Sequence, residues 1–574
     1  MPLNNRFVTS LFATILLLFY AGTIHSSNQD KRLVLKTSQA LTGRTDRPVR
    51  PVKNIIFLIP DGCSLATISA ARWYQWLQHP DRPSLSIDPY VSGTVRTMSS
   101  NAPIGDSAPT TSCYMTGELS QTGYVATYPV SDGEKDIFTV DPTRAYQPLM
   151  TILEAAKLVK GMSTGLVFTC EFPHATPADC SAHDYNRGNS SNIASQIVHN
   201  RIDFVAGGGT SFLKPDQRQY LKDQGYTLQF DDAANFRSFK GTKLWSLFGS
   251  KDMDYDMDRD SLKQPSLAEM TNKAIESLSI NKKGFFLMVE GSKVDWAAHA
   301  NDPAGMITEY LAFDRACKVA FDFAKKDGNT VVIVVSDHGN SGLSIGTSRM
   351  GGYDRISKDQ LFSGVLKFKK TANGIAEIIK NLPLTNVSDT IFKYASIRPT
   401  AEQLALLNEA SDYSKSSIPS GMRAKAPNLF YTVAKIMNLN TGFGFTTNGH
   451  TGEEVLLSCY NPNGEALSGV RFNFELNDYM CSLLSIQGQL PVLSSTYFAK
   501  HQEVFNTCTT DIQTASNTNF KQLIVTKGNK KLVLTQNSSV ALLNGKTIQL
   551  PSVVVYVDKN QTFYVPSLLK AELN

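Results

Sequence analysis

The stretch FFLMVEGSKVDWAAH, residues 285–299, decides the fold and contains three candidate site residues. Its apolar run 285–289, bounded by glycines, predicts a buried strand. Glu290 ends that strand, and Asp295 and His299 follow four residues apart. If a helix follows the strand, Asp295 and His299 share one face, where a carboxylate and an imidazole can bind a zinc-sized cation. A helix acid and a surface histidine are the plainer interpretation.

Further apolar runs of strand length precede and follow this stretch. The predicted strands are residues 54–59, 164–169, 203–206 and 330–335, and the predicted helices include 65–78 and about 303–325. Buried strands separated by helices predict a parallel sheet that is covered on both faces. We therefore expect an α/β fold, a three-layer sandwich with a mostly parallel central sheet and helices on both faces.

Two regions depart from this alternation. Residues 339–449 have mostly helical periodicity and a polar surface, which favours an insertion between two parts of one site. Residues 487–574 alternate in polarity and contain hairpin signals such as Asn544-Gly545, which predict a small β-rich appendage of unknown role. The expected catalytic domain is therefore residues 54–486, with the helical insertion inside it.

The N-terminus has the order of a secretory signal. Arg6 precedes an apolar run, residues 7–22, that is short for a membrane span, and polar residues follow it. We expect a signal segment over residues 1–27 and a linker over 28–53, with an uncleaved anchor as the alternative. The mature chain is then expected to have no membrane span and to be exported, periplasmic or extracellular.

Composition is that of an ordinary globular protein. Hydrophobic residues make up 42% and charged residues 19% of the 574, and the net charge is only +5. With no long basic block, the chain shows none of the charge pattern of a nucleic-acid partner. Eight cysteines suit an oxidising compartment. The closest plausible pairs are Cys170 with Cys180 and Cys459 with Cys481.

Acids and histidines recur at strand ends and in glycine-flanked loops. Asp61 follows the strand 54–59, Asp337 and His338 follow the strand 330–335, and His450 lies in an Asn-Gly-His-Thr-Gly loop. With residues 290, 295 and 299 they form a set of four acids and three histidines. This composition is typical of a multinuclear metal site, and scattered surface charges are the alternative.

A candidate nucleophile is Ser107, which begins a predicted helix. Helix N-termini favour anions because their N–H groups and dipole face the ligand, although a serine N-cap is also common there. No catalytic base lies beside Ser107 in the sequence. A serine without an imidazole partner needs a metal to hold it as an alkoxide, and the set of acids and histidines supplies ligands for one.

Six segments in order carry a specific resemblance. They are PDG at 60–62, DSAPTTSCYMTG at 106–117, HATPADCSAHDYNR at 174–187, EGSKVDWAAH at 290–299, SDHG at 336–339 and HTGEE at 450–454. Over about residues 54–486 the chain resembles the alkaline phosphatases. The resemblance implies a hydrolase of small-molecule phosphomonoesters that forms a phosphoserine, releases inorganic phosphate and commonly forms a homodimer.

The resemblance also implies roles for single residues. Ser107 is similar to the family's nucleophile, and Arg187 to the clamp that holds two phosphoryl oxygens. The implied ligands are Asp295, His299 and His450 for one zinc, Asp61, Asp337, His338 and the Ser107 oxygen for a second zinc, and Asp61, Thr176 and Glu290 for Mg²⁺. Without the upstream HATPA segment, Arg187 would be interpreted as a solvated surface arginine.

Two positions differ from many bacterial relatives. His174 and Trp296 stand where those relatives carry Asp and Lys near the third metal site, and they are candidate modulators. His174 can bind a metal directly or through water, which leaves the identity of the third metal open between Mg²⁺ and another ion. Trp296 removes a positive charge that could hold phosphate, so we expect faster product release.

Two other functions compete with this interpretation. A phosphodiesterase or sulfatase could use the same scaffold, and Ser107-Ala108-Pro109 resembles the start of a sulfatase motif, but Thr111 stands where that motif has Arg. Thr176, Glu290 and Arg187 together favour monoesters. A secreted binding protein with an inactive site is the second alternative, and the presence of every expected ligand argues against it.

Overall fold

The computed structural model describes residues 49–415, 428–516 and 518–573. The expected signal segment, 1–27, and most of the expected linker, 28–53, lie outside the described residues. In chain order the strands are β1 (Asn54–Pro60), β2 (Val91–Arg96), β3 (Ser163–Glu171), β4 (Phe204–Gly208), β5 (Thr227–Phe230), β6 (Leu244–Phe248), β7 (Phe285–Gly291), β8 (Thr330–Val335), β9 (Gly339–Asn340), β10 (Ser344–Ile345), β11 (Phe443–Gly444), β12 (His450–Thr451), β13 (Val455–Tyr460), β14 (Gly469–Phe472), β15 (Ala499–Lys500), β16 (Thr509–Thr514), β17 (Lys521–Lys527), β18 (Lys530–Thr535), β19 (Val540–Leu543), β20 (Lys546–Gln549), β21 (Val555–Val557) and β22 (Thr562–Val565).

The helices in the same part of the chain cover the sheet and build the insertion. They are α1 (Leu65–Gln78), α2 (Ser107–Thr116), α3 (Ile152–Lys160), α4 (Ala175–Ala178), α5 (Ser190–His199), α6 (Pro215–Asp223), α7 (Ala233–Ser238), α8 (Leu267–Leu278), α9 (Lys293–His299), α10 (Pro303–Asp327), α11 (Lys358–Leu366), α12 (Ala372–Ile379), α13 (Leu384–Ala395), α14 (Ala401–Lys415), α15 (Leu429–Asn438), α16 (Asn473–Leu483), α17 (Gln489–Tyr497), α18 (His501–Val504) and α19 (Leu569–Glu572).

Ten strands form the central sheet, in the order β14-β2-β13-β8-β1-β7-β3-β4-β6-β5. Only β13 runs against the others, because it pairs antiparallel with both β2 and β8 while every other neighbouring pair is parallel. The strand β1 lies between β7 and β8, and all seven of its residues are buried. The predicted α/β class with a mostly parallel sheet is therefore confirmed.

Strand alternation supplies the apolar core on both faces of the sheet. In β1, Ile55 and Phe57 face one apolar cluster, and Ile56 and Leu58 face the other. A strand that is buried on both faces has a continuous apolar sequence, which is why the segment 54–59 could be identified without alternation.

Helix starts are also determined locally. In α3, Thr151 and Glu154 form a capping box, in which each side chain bonds the other residue's main-chain N–H.

The region 339–449 leaves the sheet and returns beside its starting point. Its described part contains helices α11–α15, in agreement with the helical periodicity. The short strands β9 and β12 at its two ends pair antiparallel, with His450 opposite Asn340. This pairing brings the Asp337-His338 segment next to the His450 loop, although more than a hundred residues separate them in the sequence.

The C-terminal appendage, defined here as residues 487–574, contains two small antiparallel sheets, as its hairpin signals indicate. One has five strands in the order β16-β17-β18-β19-β20, and the other has three, β15-β22-β21. Its inner residues Val555 and Tyr564 join the apolar cluster on one face of the central sheet. The appendage therefore shares a core with the rest of the molecule.

Neither of the plausible cysteine pairs forms a disulfide. All eight cysteines lie within the described residues, and each is a thiol. Cys170 Sγ contacts Glu290 Oε2 at 3.4 Å, and Cys180 Sγ contacts the Thr176 carbonyl at 3.6 Å. The two cysteines are close in sequence but their side chains turn to different neighbours, and Cys459 likewise contacts the Tyr479 hydroxyl rather than Cys481.

Candidate active site

Three adjacent strands deliver acidic residues to one edge of the sheet. The order β8-β1-β7 is parallel, so their carboxyl ends meet, and Asp61, Glu290 and Asp337 lie at those ends or within two residues of them. All three side chains are fully buried. Carboxylates in such a place require partners, because an unpaired buried charge is costly.

The stretch after β7 forms helix α9, as its spacing predicts. Asp295 and His299 lie one turn apart on α9, and Asp295 Oδ2 is 3.3 Å from His299 Nε2. The second oxygen, Asp295 Oδ1, accepts a hydrogen bond of 2.7 Å from Asn340 Nδ2 and lies 3.7 Å from His450 Nε2. The shared helical face is therefore confirmed, and the β9–β12 pairing adds His450 to it.

The three histidines of the site share one orientation. The Nδ1 atom of each lies near a main-chain carbonyl: Asn448 for His299, Gly339 for His338 and Gly105 for His450. A carbonyl at Nδ1 fixes the tautomer that leaves a lone pair on Nε2. The Nε2 atoms of His299 and His450 then face each other at 3.2 Å. Two lone pairs at this distance need a proton or a cation between them.

The carboxylates show the same shortage of positive charge. Asp61 Oδ2, Asp337 Oδ2 and Glu290 Oε1 are buried and have no hydrogen-bond partner. Burial, together with Asp337, raises the pKa of Glu290 to about 8, and burial and the neighbouring acids hold the pKa of Asp61 well above its usual range. These directions are those of buried carboxylates whose charged forms need a counter-ion.

The pKa values of Asp295 and His299 shift in opposite directions. Burial alone would raise the pKa of Asp295, but the hydrogen bond to His299 and the histidine charges lower it below its ordinary value. Burial opposes the charged form of His299 too, yet Asp295 raises its pKa to about 9. Each residue of the pair therefore stabilises the charged form of the other.

Ser107 is the first residue of α2, and its N-cap is Asp106. Ser107 is only 2% exposed, and its Oγ lies 3.2 Å from His338 Nε2 and 3.4 Å from Asp61 Oδ1. No base lies beside Ser107 in the sequence, but the fold brings an imidazole from 231 residues away. His338 is itself a candidate metal ligand, so the expectation that a metal holds the Ser107 oxygen stays a prediction.

Arg187 is linked to the candidate nucleophile Ser107 through Asp106, the residue that precedes the serine. Its Nη1 atom donates to Asp106 Oδ1, and its Nη2 atom is 3.3 Å from His174 Nε2. Burial would raise the pKa of Asp106, but the Arg187 guanidinium brings it below its ordinary value. A carboxylate next to Ser107 thus holds the predicted phosphate clamp.

A third group surrounds Glu290. The Thr176 side chain is buried on α4 and lies near Glu290, as the third-site prediction requires. Cys170, His174 and Glu290 also offer ligand atoms within 4.8 Å of one another. The His174 ring centroid lies 5.9 Å from that of Trp296, so both candidate modulators are at this end of the site.

Comparison with known families decides the identity. The family model described as alkaline phosphatase matches residues 52–486, about three quarters of the chain. The chain belongs to the alkaline phosphatase family. It is therefore a phosphomonoesterase of a metal-dependent family, and small-molecule phosphomonoesters are its class of substrate.

Relatives of this family match most of the chain. Alkaline phosphatase 4 of Bacillus subtilis is 33% identical over 466 residues, which cover 78% of this chain and 92% of the relative. The crystal structure of the cold-active alkaline phosphatase from Shewanella sp. is similar at a TM-score of 0.63 and 27% identity, covering 75% of this chain and 99% of that one. A TAB5 alkaline phosphatase variant described with Mg bound in its M3 site has a TM-score of 0.51 and 24% identity, covering 76% and 99%.

The donor atoms fit the metals of an alkaline phosphatase. Among the described residues, Asp295, His338 and His450 form one group of potential ligands, and Asp61, Asp337 and His338 form another. Imidazole nitrogens and carboxylate oxygens are the donors that zinc prefers. The unpartnered carboxylate oxygens and the facing Nε2 atoms are explained if cations occupy the space between them.

Three residues of the site were not identified from the sequence. Asp106 orients Arg187, Asn340 donates to Asp295, and Cys170 contacts Glu290. Asp106 begins the motif DSAPTTSCYMTG, and Asn340 directly follows SDHG. Their position next to motif residues was the one sequence signal that could have identified them. Cys170 could not have been found, because only the end of β3 places its thiol beside β7.

Proposed function

We propose that the chain is an exported alkaline phosphatase that hydrolyses phosphate monoesters through a phosphoserine on Ser107. The observation that carries the proposal is the position of the Ser107 hydroxyl. It stands at a helix start, within 3.4 Å of both Asp61 and His338, and beside the Asp106–Arg187 pair.

Three cation positions are proposed from the donors. Asp295, His299 and His450 would hold one Zn²⁺, and Asp61, Asp337 and His338 with the Ser107 oxygen would hold a second. A third ion, Mg²⁺, would be held by oxygen atoms of Asp61, Thr176 and Glu290, because Mg²⁺ prefers oxygen ligands. When bound, the two zinc ions supply charge stabilisation for the entering and departing oxygens.

The protein's own residues then set the reaction geometry. The Ser107 oxygen attacks phosphorus, the Ser107–phosphorus bond forms, and the ester oxygen–phosphorus bond breaks as the alcohol leaves with a proton. Water attacks the phosphoserine next, its oxygen binds phosphorus, and the serine oxygen departs and regains a proton. Inorganic phosphate and an alcohol are the products, so atoms and charge balance over the two steps.

Arg187 and the start of α2 would bind the equatorial phosphoryl oxygens. The guanidinium is fixed by Asp106 on one side and lies against His174 on the other. Burial lowers the pKa of His174 to about 3, so the ring is neutral and adds no competing charge. A planar, oriented guanidinium suits bidentate contact with a phosphoryl group.

The domain limits, export and oligomeric state belong to the same proposal. Residues 54–486 would be the catalytic domain with the insertion at 339–449, preceded by a signal segment and linker and followed by the appendage. Within the described residues no helix has the length and apolar character that a membrane crossing demands. The apolar N-terminal run supports export. A homodimer is proposed because members of the family commonly form dimers.

Hydrolysis with and without a chelator tests the proposed function. We expect the purified chain to hydrolyse a simple aryl phosphate, to lose this activity on chelation and to recover it when zinc and magnesium are restored. A matching aryl phosphodiester and aryl sulfate should react far more slowly. Full activity of the metal-depleted protein, or a preference for the diester, would refute the proposal.

A further inference from the structure

The C-terminal appendage contacts the loop that carries Arg187. This loop, residues 183–187, leaves the region of α4, and its last residue is the proposed phosphate clamp. The family match ends at residue 486, before the appendage begins. A part of the chain beyond the matched region therefore reaches the edge of the active site.

The first contact is a buried network around Asn537, whose side chain is 1% exposed. Its Oδ1 atom accepts from Gln196 Nε2 at 3.0 Å, and its Nδ2 atom donates to Asn192 Oδ1 at 3.0 Å. Gln196 Oε1 accepts from the His183 N–H at 2.8 Å, and Gln196 Nε2 donates to the His183 carbonyl at 2.9 Å. Asn192 Nδ2 donates to Asp184 Oδ2 at 3.1 Å. The appendage thus holds the beginning of the loop.

The second contact lies nearer to the arginine. The Tyr185 hydroxyl donates to Asp558 Oδ1 at 2.6 Å, and Lys559 Nζ lies 5.7 Å from the centre of the Tyr185 ring. Two residues later, the main-chain N–H of Arg187 donates to the Gly123 carbonyl at 2.8 Å. The loop is therefore held by the appendage on one side and by the segment before α3 on the other.

We propose that Asn537 and Asp558 are positioning residues for Arg187, so that the appendage sets the affinity of the site for phosphate. The inference rests on the proposed role of Arg187 as the phosphate clamp. A guanidinium binds two phosphoryl oxygens well only when its main chain is held in place, because freedom lost on binding reduces affinity. Asp106 fixes the guanidinium end and Gly123 bonds the Arg187 main chain, and the appendage holds the loop residues just before Arg187.

Asp558 is the better residue to change, because it is exposed and its loss leaves the apolar core intact. In the full-length, metal-loaded chain we expect Asp558→Ala to raise KM and the inhibition constant of inorganic phosphate roughly three- to tenfold. The kcat and the zinc content should stay unchanged. Tyr185→Phe should reproduce the loss, and Asp558→Asn, which keeps an accepting oxygen, should restore both constants.

The matched control is Asp511→Ala. Asp511 is an exposed acid of the same appendage, on β16, and it accepts a hydrogen bond from Gln513. We expect this change to leave KM, kcat and phosphate inhibition as they are in the native chain. A rise in KM of equal size with Asp511→Ala would overturn the inference, since it would show a general effect of appendage charge.

A double-mutant comparison separates the inference from the proposed function. We expect Arg187→Ala alone to raise KM, and Asp558→Ala to add nothing in that background, because both act on the same contact. If Arg187→Ala raises KM and Asp558→Ala does not, the positioning inference alone is overturned. If Arg187→Ala leaves KM unchanged, the role of Arg187 and the inference fall together.

Discussion

Trp296 is the residue whose substitution has the clearest consequence. It lies on α9 next to His174, which also contacts Arg187, so position 296 is one side chain removed from the phosphate clamp. Its neighbour Lys293 is buried, and its ammonium is already paired with Asp252. Lys293 therefore offers no free ammonium to hold the product at this place.

We predict that Trp296→Lys strengthens inhibition by inorganic phosphate. An added ammonium near the clamp should lower the inhibition constant roughly three- to tenfold and reduce kcat, because phosphate leaves more slowly. Steady-state kinetics with added phosphate measures both effects. Trp296→Met is the control, because it removes the ring without adding charge; unchanged inhibition with Trp296→Lys would refute the prediction.

At the scale of elements, the turn between β1 and α1 joins two parts of the site. Gly62 has φ +59°, and its N–H donates to Asp337 Oδ1 at 3.0 Å. A Cβ added at Gly62 would lie 2.2 Å from Asp295 Oδ1. Glycine is therefore required at this position both by the left-handed backbone and by the close approach of a candidate zinc ligand.

We predict that Gly62→Ala displaces Asp295 and lowers zinc content and kcat by roughly tenfold or more, the effect expected when a metal ligand moves. The control is Gly328→Ala. Gly328 has φ +66°, but no atom lies within 4 Å of an added Cβ, so it carries the backbone strain without the collision. Equal zinc loss in both variants would show that strain, rather than contact with Asp295, is responsible.

The elements nearest the site were predictable, and the reason is local chemistry. The strands β1 and β8 are continuous apolar runs, and α1 was predicted with the bounds Leu65–Gln78 that the structure has. By contrast β2, β13 and β14 are short or partly exposed, and their order on the β8 side of the sheet depends on pairing between distant segments. Local sequence contains no record of that pairing.

The candidate site was predictable for the same reason, and its errors are also instructive. Motif residues at strand ends come together because parallel strands share an edge, so Asp61, Glu290 and Asp337 followed from the fold alone. The contact between Ser107 and His338 did not, because it joins segments far apart in the chain. The two plausible cysteine pairs form no disulfide, because spacing along the chain does not determine where thiols point.

For the molecule as a whole, buried carboxylates without a cation destabilise the folded state when they are charged. The pKa of Glu290 is raised to about 8 by burial and by Asp337, from an ordinary value of 4.5. Between these values the folded state keeps a proton that the unfolded chain has lost. The free energy of unfolding of metal-depleted protein therefore falls as pH rises through this range.

We predict that the metal-depleted protein melts several degrees lower at about pH 8 than at about pH 5.5, and that zinc and magnesium reduce this difference. Thermal unfolding with and without chelator at both pH values measures it. The metal-depleted Glu290→Gln variant should show a smaller pH dependence, because position 290 no longer titrates. A melting temperature of metal-depleted protein that stays constant or rises with pH would contradict the assignment of the buried carboxylates.

The appendage and the central sheet share one apolar cluster. Val555 and Tyr564 of the appendage lie in the same apolar cluster as Phe57 and Phe286 of the central sheet. Separating them would expose that apolar surface to water. The appendage is therefore part of the folded unit, which agrees with its proposed contribution to the position of Arg187.

The most direct test of the central claim is detection of the phosphoryl group on the protein. The metal-loaded chain is mixed with a phosphomonoester at mildly acidic pH and quenched with acid. The protein is then digested, and the masses of its peptides are measured by mass spectrometry. We predict one added phosphoryl group on the peptide that contains Ser107, and none in the Ser107→Ala variant, which should also lose hydrolysis. A phosphoryl group on another residue, or undiminished hydrolysis by Ser107→Ala, would contradict the account.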